Sequence, residues 1–248
     1  MLKYLNAVNY IVKGKAETLH ELEEKYQGDW KLAWRKIGSP RFGEAGNSEI
    51  KPDQAWDQLW KEKILMITIR DSAFPPALKQ IFDPPYLLYV RGQADALKNE
   101  CFSIVGTRAL SDYGKRASRD LGAPLARAGF TLVSGLARGI DSEVHKVALE
   151  ENAPTISVLG CGVSDKVLYP QSNLNLAHRI IDSGGAIISE YPIDMRAQQY
   201  TFPQRNRIIS GMSKGVLVVE GDIKSGTMIT AKSALDQNRD VFAVPGSI

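Results

Sequence analysis

Cysteine is almost missing from this 248-residue chain: Cys101 and Cys161 are the only two, each inside an apolar, strand-like run. Two isolated thiols do not make a disulfide scaffold; they fit buried positions in a reducing compartment. Histidine is nearly as scarce. His20, His145 and His178 form no cluster with cysteine at metal-ligand spacing, so no metal is expected. No uninterrupted apolar run approaches the ~18 residues that a membrane span requires. The first residues, Met1 to Asn6, lack the apolar stretch of a secretory signal. The expectation is a soluble cytoplasmic protein with no membrane partner. An excess of one charge is also lacking: 31 Lys and Arg face 28 Asp and Glu, a net charge of +3. Affinity for a polyanion would therefore have to come from local clustering.

Several motifs are absent where they would be looked for. The first strand of the α/β region runs into Gly106-Thr107-Arg108-Ala109, not G-x-G-x-x-G. The second ends Val133-Ser134-Gly135, with no acidic residue to hold a ribose hydroxyl. The Walker loop, the G-x-S-x-G elbow and H-E-x-x-H are missing as well. A nicotinamide dehydrogenase is thereby disfavoured, and no cofactor is expected.

What is present is a run of glycine- and arginine-bearing loops from residue 104 onward. They read I-V-G-T-R at 104–108, S-G-L-A-R-G-I-D at 134–141, F-P-Q-R-N-R-I-I-S-G-M-S at 202–213 and S-G-T-M-I-T-A-K-S-A at 225–234. Each glycine cluster lies between an apolar run of strand length and a helix-like stretch. Strands are expected at 64–69, 86–90, 101–105, 130–133, 155–159, 186–189, 216–219 and 241–244. Helices are expected at 111–128, 141–151, 173–183, 205–212 and 227–237, with a helix-like piece near 76–82. Strands apolar throughout and separated by helices predict an α/β fold: a Rossmann-like, mostly parallel sheet with helices on both faces. Pro124 should kink or break the first long helix.

Residues 1–63 differ in texture, with all four Trp, many Lys and Glu, and few β-branched runs. They predict a small helical N-terminal module at 1–63 ahead of an extended Rossmann-like domain at 64–248. Thr18 and Glu21 resemble a capping box opening a helix with Leu19, Leu22 and Tyr26 on one face. Pro52 suits the first turn of another helix, with Trp56, Leu59 and Trp60 as its apolar face. Loops are expected at 38–40 and 43–47.

In an open parallel sheet, anions bind beyond the carboxyl ends of the strands. Gly106, Thr107 and Arg108 in one loop, and Ser134, Gly135, Arg138 and Gly139 in the next, are thus candidate phosphate contacts. Residues 195–219 carry Arg196, Arg205, Arg207 and Lys214 without one Asp or Glu. Tyr200 and Phe202 are interleaved with them, which suits single-stranded nucleic acid: phosphates take cations and unstacked bases take π-faces. Phe202 could equally staple the following helix. Asn206 could cap a helix or donate to phosphate, and Ser225, Gly226 and Thr227 open the last helix. Asp141 reads as a helix N-cap, Glu190 and Glu220 as partners orienting the arginines, and His145 as a packed residue. No nucleophile–base pair stands out, so no catalytic residue is expected.

In this order the motifs resemble the DNA-processing protein A family (DprA, also called Smf). The resemblance rests on S-G-L-A-R-G-I-D-x-x-x-H at 134–145, the G-x-G loop leading to Tyr169-Pro170, and Ser189-Glu190-Tyr191-Pro192. It rests equally on the 202–213 and 225–234 blocks, and upstream on Phe74-Pro75 and the stretch at 83–92. Asn238-Arg239-Asp240 departs from the usual Gly-Arg. The family implies a non-enzymatic protein that protects incoming single-stranded DNA in natural transformation, dimerises and helps load the RecA recombinase. It also implies a SAM-like reading of the N-terminal module. The alternative is a nucleotide-binding or nucleotide-processing protein on a related fold, of phosphoribohydrolase type. That family uses a catalytic glutamate where this chain has Thr230.

Overall fold

The computed structural model describes residues 1–38, 50–222 and 225–246. Helices α1 (Leu2–Val12), α2 (Ala16–Tyr26), α3 (Trp30–Ile37) and α4 (Pro52–Lys61) come first, then β1 (Ile64–Thr68) and β2 (Leu87–Gly92). An alternation follows: β3 (Cys101–Val105), α5 (Asp112–Arg127), β4 (Thr131–Ser134), α6 (Ile140–Glu150), β5 (Thr155–Val158) and α7 (Leu174–Asp182). It closes with β6 (Ala186–Ser189), α8 (Thr201–Gly211), β7 (Ser213–Val218), α9 (Gly226–Asp236) and β8 (Asp240–Ala243).

The strands form one sheet in the order β1-β2-β6-β5-β4-β3-β7-β8. β2 runs antiparallel to β1 and β6; the other pairs are parallel. The chain moves outward from β3 through β4, β5 and β6, then returns to the far side of β3 with β7. That reversal makes a switch point between β3 and β7, where a crevice opens at the carboxyl ends of the strands.

Alternation along each strand separates two cores, as the pleat requires. Leu88, Val90, Val133, Ile156 and Ile188 pack with Ile208 and Ile209 of α8 and with Met212 just after it. On the opposite face Ile104, Leu132 and Leu217 pack with Ile140, Val144 and Ala148 of α6. Tyr89 and Ile187 share that face with Leu5, Val8, Leu19, Trp30 and Leu59 of the N-terminal helices. Those helices therefore complete the core over β1 and β2 rather than standing apart from the sheet. Cys101 and Cys161 are free and buried, and burial pushes their thiols up to about 12 and about 11.

Details differ from the sequence reading. The module holds four helices among the described residues, not two. Helix α2 begins at Ala16 after Lys15, with no side-chain cap, so Thr18 lies inside it and the Thr18–Glu21 capping box does not form. Trp60 is 74% exposed, leaving Leu59 as the buried anchor of α4. The piece near 76–82 is only a 3-10 turn, Leu78–Gln80. Pro124 lies in the last turn of α5, and the helix runs on to Arg127, so the expected break is absent. Ser111 caps α5 instead, accepting from Gly114 N–H at 2.9 Å. The loop expected at 43–47, and Ser39 and Pro40 of the other, lie outside the described residues.

Candidate nucleic-acid interface

The crevice at the switch point is built from loops held rigidly by the backbone. After β3, Thr107 N–H donates to the Glu220 carbonyl (2.8 Å), and the Thr107 carbonyl accepts from Ile140 N–H (3.1 Å). The loop is thus pinned between the end of β7 and the start of α6. Gly139 has φ +82°, and a Cβ there would sit 2.2 Å from the Thr107 carbonyl oxygen. Its missing side chain lets the two loops meet. Arg108 emerges from this pinned loop, exposed, with its guanidinium 5.4 Å from the centroid of Phe202. Arg138, in the loop after β4, is also exposed, and neither arginine has a carboxylate partner among the described residues.

Two adjoining cavities, of about 500 and 350 Å³, share Arg108, Ala137, Phe202 and Arg205 in their walls. The larger adds Gly106, Thr107, Asn206, Ser225, Gly226 and Thr227; the smaller adds Gly135, Arg138 and Tyr169. Tyr169 is half exposed, its ring 5.7 Å from that of Phe202. Helix α9 opens on the larger cavity. Met228 N–H turns back to the Ser225 carbonyl (3.1 Å), the N–H groups of Gly226 and Thr227 ahead of it have no acceptor within the helix, and the helix dipole adds partial positive charge there. Asn206 holds this end in place by donating to the Gly226 carbonyl (3.2 Å), while the buried Ser225 hydroxyl has no hydrogen-bond partner among the described residues. The result is a floor of positive potential, with aromatic rings and two exposed arginines on its rim.

The four arginines expected to act alike divide into two kinds. Arg205 is not an exposed loop residue. It is 5% exposed and donates from Nη1 to the carbonyls of Gly135 (2.9 Å) and Val158, and from Nε to Asn206 Oδ1 (3.1 Å). A Cβ on Gly135 would lie 2.5 Å from that guanidinium, so the glycine makes room for it. Arg205 still lines both cavities, so its charge contributes to the floor. Arg207 projects elsewhere and lines neither cavity. Its Nη atoms clamp the buried Glu190 carboxylate (2.9 and 2.7 Å) and its Nε donates to Asp83 (3.0 Å). Glu190 thus pairs with an arginine as expected, but a structural one. Glu220 does not orient an arginine; it accepts from Ser111 Oγ at 2.5 Å at the start of α5.

Other assignments shift in the same way. Ser134 is fully buried and donates to the Ile104 carbonyl (2.7 Å), tying β4 to β3 instead of facing the cleft. Asp141 is not the N-cap of α6, which is Gly139. Its buried carboxylate instead accepts from Gly135 and Ala137 N–H (3.2 and 3.3 Å), shaping the Arg138 loop. Burial raises its pKa, against the pull of Arg205 and those N–H groups. Phe202 lies within the first turn of α8, so it is not the residue before a helix cap that a staple requires. His145 is packed, as expected: Thr155 Oγ1 donates to the Leu132 carbonyl (2.7 Å), so His145 Nδ1–H must donate to Thr155 (2.8 Å). Its Nε2 has no partner among the described residues, and burial lowers its pKa to about 3. Tyr169 is a site residue the sequence reading does not include; its place beside the G-x-G loop is the signal for it.

A Rossmann-like sheet whose switch-point crevice carries exposed guanidiniums, a helix N-terminus and aromatic rings defines an α/β protein with a cationic, aromatic-rimmed cleft. The chain belongs to the DNA recombination-mediator protein A family, which matches residues 65–248. Protein Smf of Escherichia coli (strain K12) is 48% identical over 179 residues, covering 72% of this chain and 47% of that protein. DNA processing protein DprA of Bacillus subtilis (strain 168) is 42% identical over 189 residues, covering 76% and 63%. The chain spans about half to two thirds of the length of these curated relatives. In structure it is similar to DNA processing protein A from Streptococcus pneumoniae, with TM-score 0.78 and 31% identity over 100% of this chain and 88% of that one. It is similar also to DNA processing protein A from Helicobacter pylori, described for its single-stranded DNA binding mode, with TM-score 0.66 and 30% identity over 74% and 82%. Among the described residues, no helix is long and apolar enough to cross a membrane.

Proposed function

We propose that this chain binds single-stranded DNA in the switch-point cleft, without strong sequence preference and without catalysing a reaction. The observation that carries the reading is the pairing of exposed cations with neighbouring aromatic rings: Arg108 over Phe202, Phe202 tilted against Tyr169, and Arg138 in the adjoining wall. Phosphates would meet the guanidiniums and the first turn of α9, and unstacked bases the rings. Duplex is disfavoured because its bases are already stacked and, among the described residues, no helix projects as a groove reader. The position of a phosphoribohydrolase glutamate is held by Thr230, 2% exposed, which leaves the enzymatic alternative without its base.

Family membership supports the wider role: a cytoplasmic protein that protects incoming single strands in natural transformation and helps load the RecA recombinase, acting as a homodimer. The exposed edge strand β8, with Phe242 half exposed, offers one surface for self-association. Anisotropy titration with single-stranded and duplex oligonucleotides at two salt concentrations tests the binding reading. Equal affinity for both forms, or no salt dependence, would overturn it. Sedimentation over a wide concentration range tests dimerisation, and filament assembly on coated single strands tests recombinase loading.

A further inference from the structure

A second groove, of about 480 Å³, lies between the C-terminal end of α1 and the segment leading into α8. Tyr10 and Lys13 line it from the N-terminal helices, and Asp194, Arg196 and Tyr200 from residues 190–200. Its position relative to the cleft is fixed by the chain: Gln199 lines the larger cleft cavity, while its neighbours Gln198 and Tyr200 line the groove. Tyr200 is half exposed and immediately precedes α8, whose second residue is Phe202. Two aromatic rings two residues apart thus stand at the junction of the two depressions.

The cations of this groove are free, as those of the cleft are. Lys13 and Arg196 are exposed and have no carboxylate partner among the described residues. The one carboxylate in the lining, Asp194, lies near the Tyr10 hydroxyl, whose pKa is raised by burial and by that carboxylate. Lys13 is also held in position by the backbone. It ends α1 in the left-handed conformation, with φ 54° and its N–H on the Asn9 carbonyl at 2.8 Å. The next residue, Gly14, is packed so closely on Tyr191 that a Cβ would lie 2.8 Å from that ring. Beneath it, Tyr89 donates to Asn6 (2.6 Å), and Asn9 donates to Tyr89 (3.2 Å) and to the Glu190 carbonyl (3.1 Å). A buried polar network therefore docks α1 against the same segment that supplies Arg196 and Tyr200. Ordering a lysine at the end of a docked helix avoids much of the entropy that a mobile tail would lose on binding.

We propose that the single-stranded DNA path continues out of the cleft past Tyr200 into this groove, so that the N-terminal helices form part of the nucleic-acid site. Lys13 and Arg196 take phosphates there, and the Tyr200 ring offers a face to a base. The inference rests on the single-strand reading of the cleft and extends it to a module with no glycine-rich phosphate loop of its own.

The test compares short and long oligothymidylates, about 6 and about 16 nucleotides, on the parent chain, on Arg108→Ala, and on the Lys13→Gln/Arg196→Gln pair. The paired variant removes two charges from exposed side chains, and Arg196→Gln alone serves as the check should Lys13→Gln disturb the end of α1. The paired variant should bind the short oligonucleotide like the parent but the long one roughly tenfold more weakly. Its log–log salt slope for the long strand should fall from about −2.8 to about −1.4, at ~0.7 per phosphate contact on a single strand. Unchanged affinity and slope for the long strand, with Arg108→Ala still impaired on both lengths, would overturn the groove and leave the cleft standing. Binding that ignores Arg108→Ala, or no single-strand binding at all, would overturn both.

Discussion

Replacing Arg207 should cost stability, not affinity. Its guanidinium grips both oxygens of Glu190 at 2.9 and 2.7 Å, with side-chain exposures of 16% for the arginine and 4% for the glutamate. Arg207→Leu keeps much of the buried stem but leaves the Glu190 carboxylate without its counter-charge. Removing one partner of a buried pair costs about 3–5 kcal/mol, because the other charge stays desolvated. The exposed half of the interaction, to Asp83 at 53% exposure, adds little. For a chain of this size the loss corresponds to a melting temperature roughly 6–20 °C lower. Glu190→Leu alone should cost a comparable amount, and Arg207→Leu/Glu190→Leu should recover much of either loss. Denaturant unfolding of the four proteins in a double-mutant cycle measures this coupling. If Arg207→Leu melts like the parent yet binds single-stranded DNA more weakly, Arg207 is a ligand-facing residue and the division of the arginines is wrong.

The cleft arginines should behave in the opposite way. Arg108→Ala and Arg138→Ala should each weaken single-strand binding by about 1–3 kcal/mol, read by anisotropy, while melting stays within a degree or two of the parent. Phe202→Leu should cost about 1–3 kcal/mol of affinity through lost stacking; a drop in melting temperature with unchanged affinity would instead make its contacts with Tyr169 and Gly160 purely structural. His145 should make stability fall with acid. With its folded pKa at about 3 against an ordinary 6.5, the unfolded chain binds the extra proton first. The parent should therefore lose about 2 kcal/mol more than His145→Leu between pH 7 and pH 5, and equal losses in the two would refute the unpartnered Nε2.

Elements with a strong period or a strong turn signal were legible in the chain. Every expected strand from 64 to 244 is present within a few residues, because continuous apolar runs bounded by glycine leave few alternatives to a doubly covered sheet. Pro52 at the first position of α4 was equally clear. Helices α1 and α3 were not, since α1 carries buried asparagines, Asn6 and Asn9, whose partners Tyr89 and Glu190 lie 80 or more residues away. Thr18 shows the converse: a good local cap signal is overridden because Ala16 and Leu19 are buried in a shared core and set the start of α2. Ser134 reads as a loop ligand in the sequence because the apolar run ends at Val133, but β4 extends through it.

The arginines mark the limit of sequence reasoning most sharply. Arg205 and Arg207 sit two residues apart in a segment without a single acid, yet neither is a simple exposed cation. Two positions on a helix are about 200° apart, so their side chains leave opposite faces. One face meets the strand ends at Gly135 and Val158; the other meets Glu190 and Asp83, both distant in sequence. Arg205 thereby joins the carboxyl ends of β4 and β5 and fixes the depth of the cleft. Its hydrogen bonds use Nε and Nη1, so its charge still reaches the cavity it supports. Arg108 and Arg138 stand on pinned loops above that floor and answer to no carboxylate among the described residues. Shape and attraction are therefore assigned to different residues of one type, so variants of the floor should change folding first and variants of the rim should change binding alone.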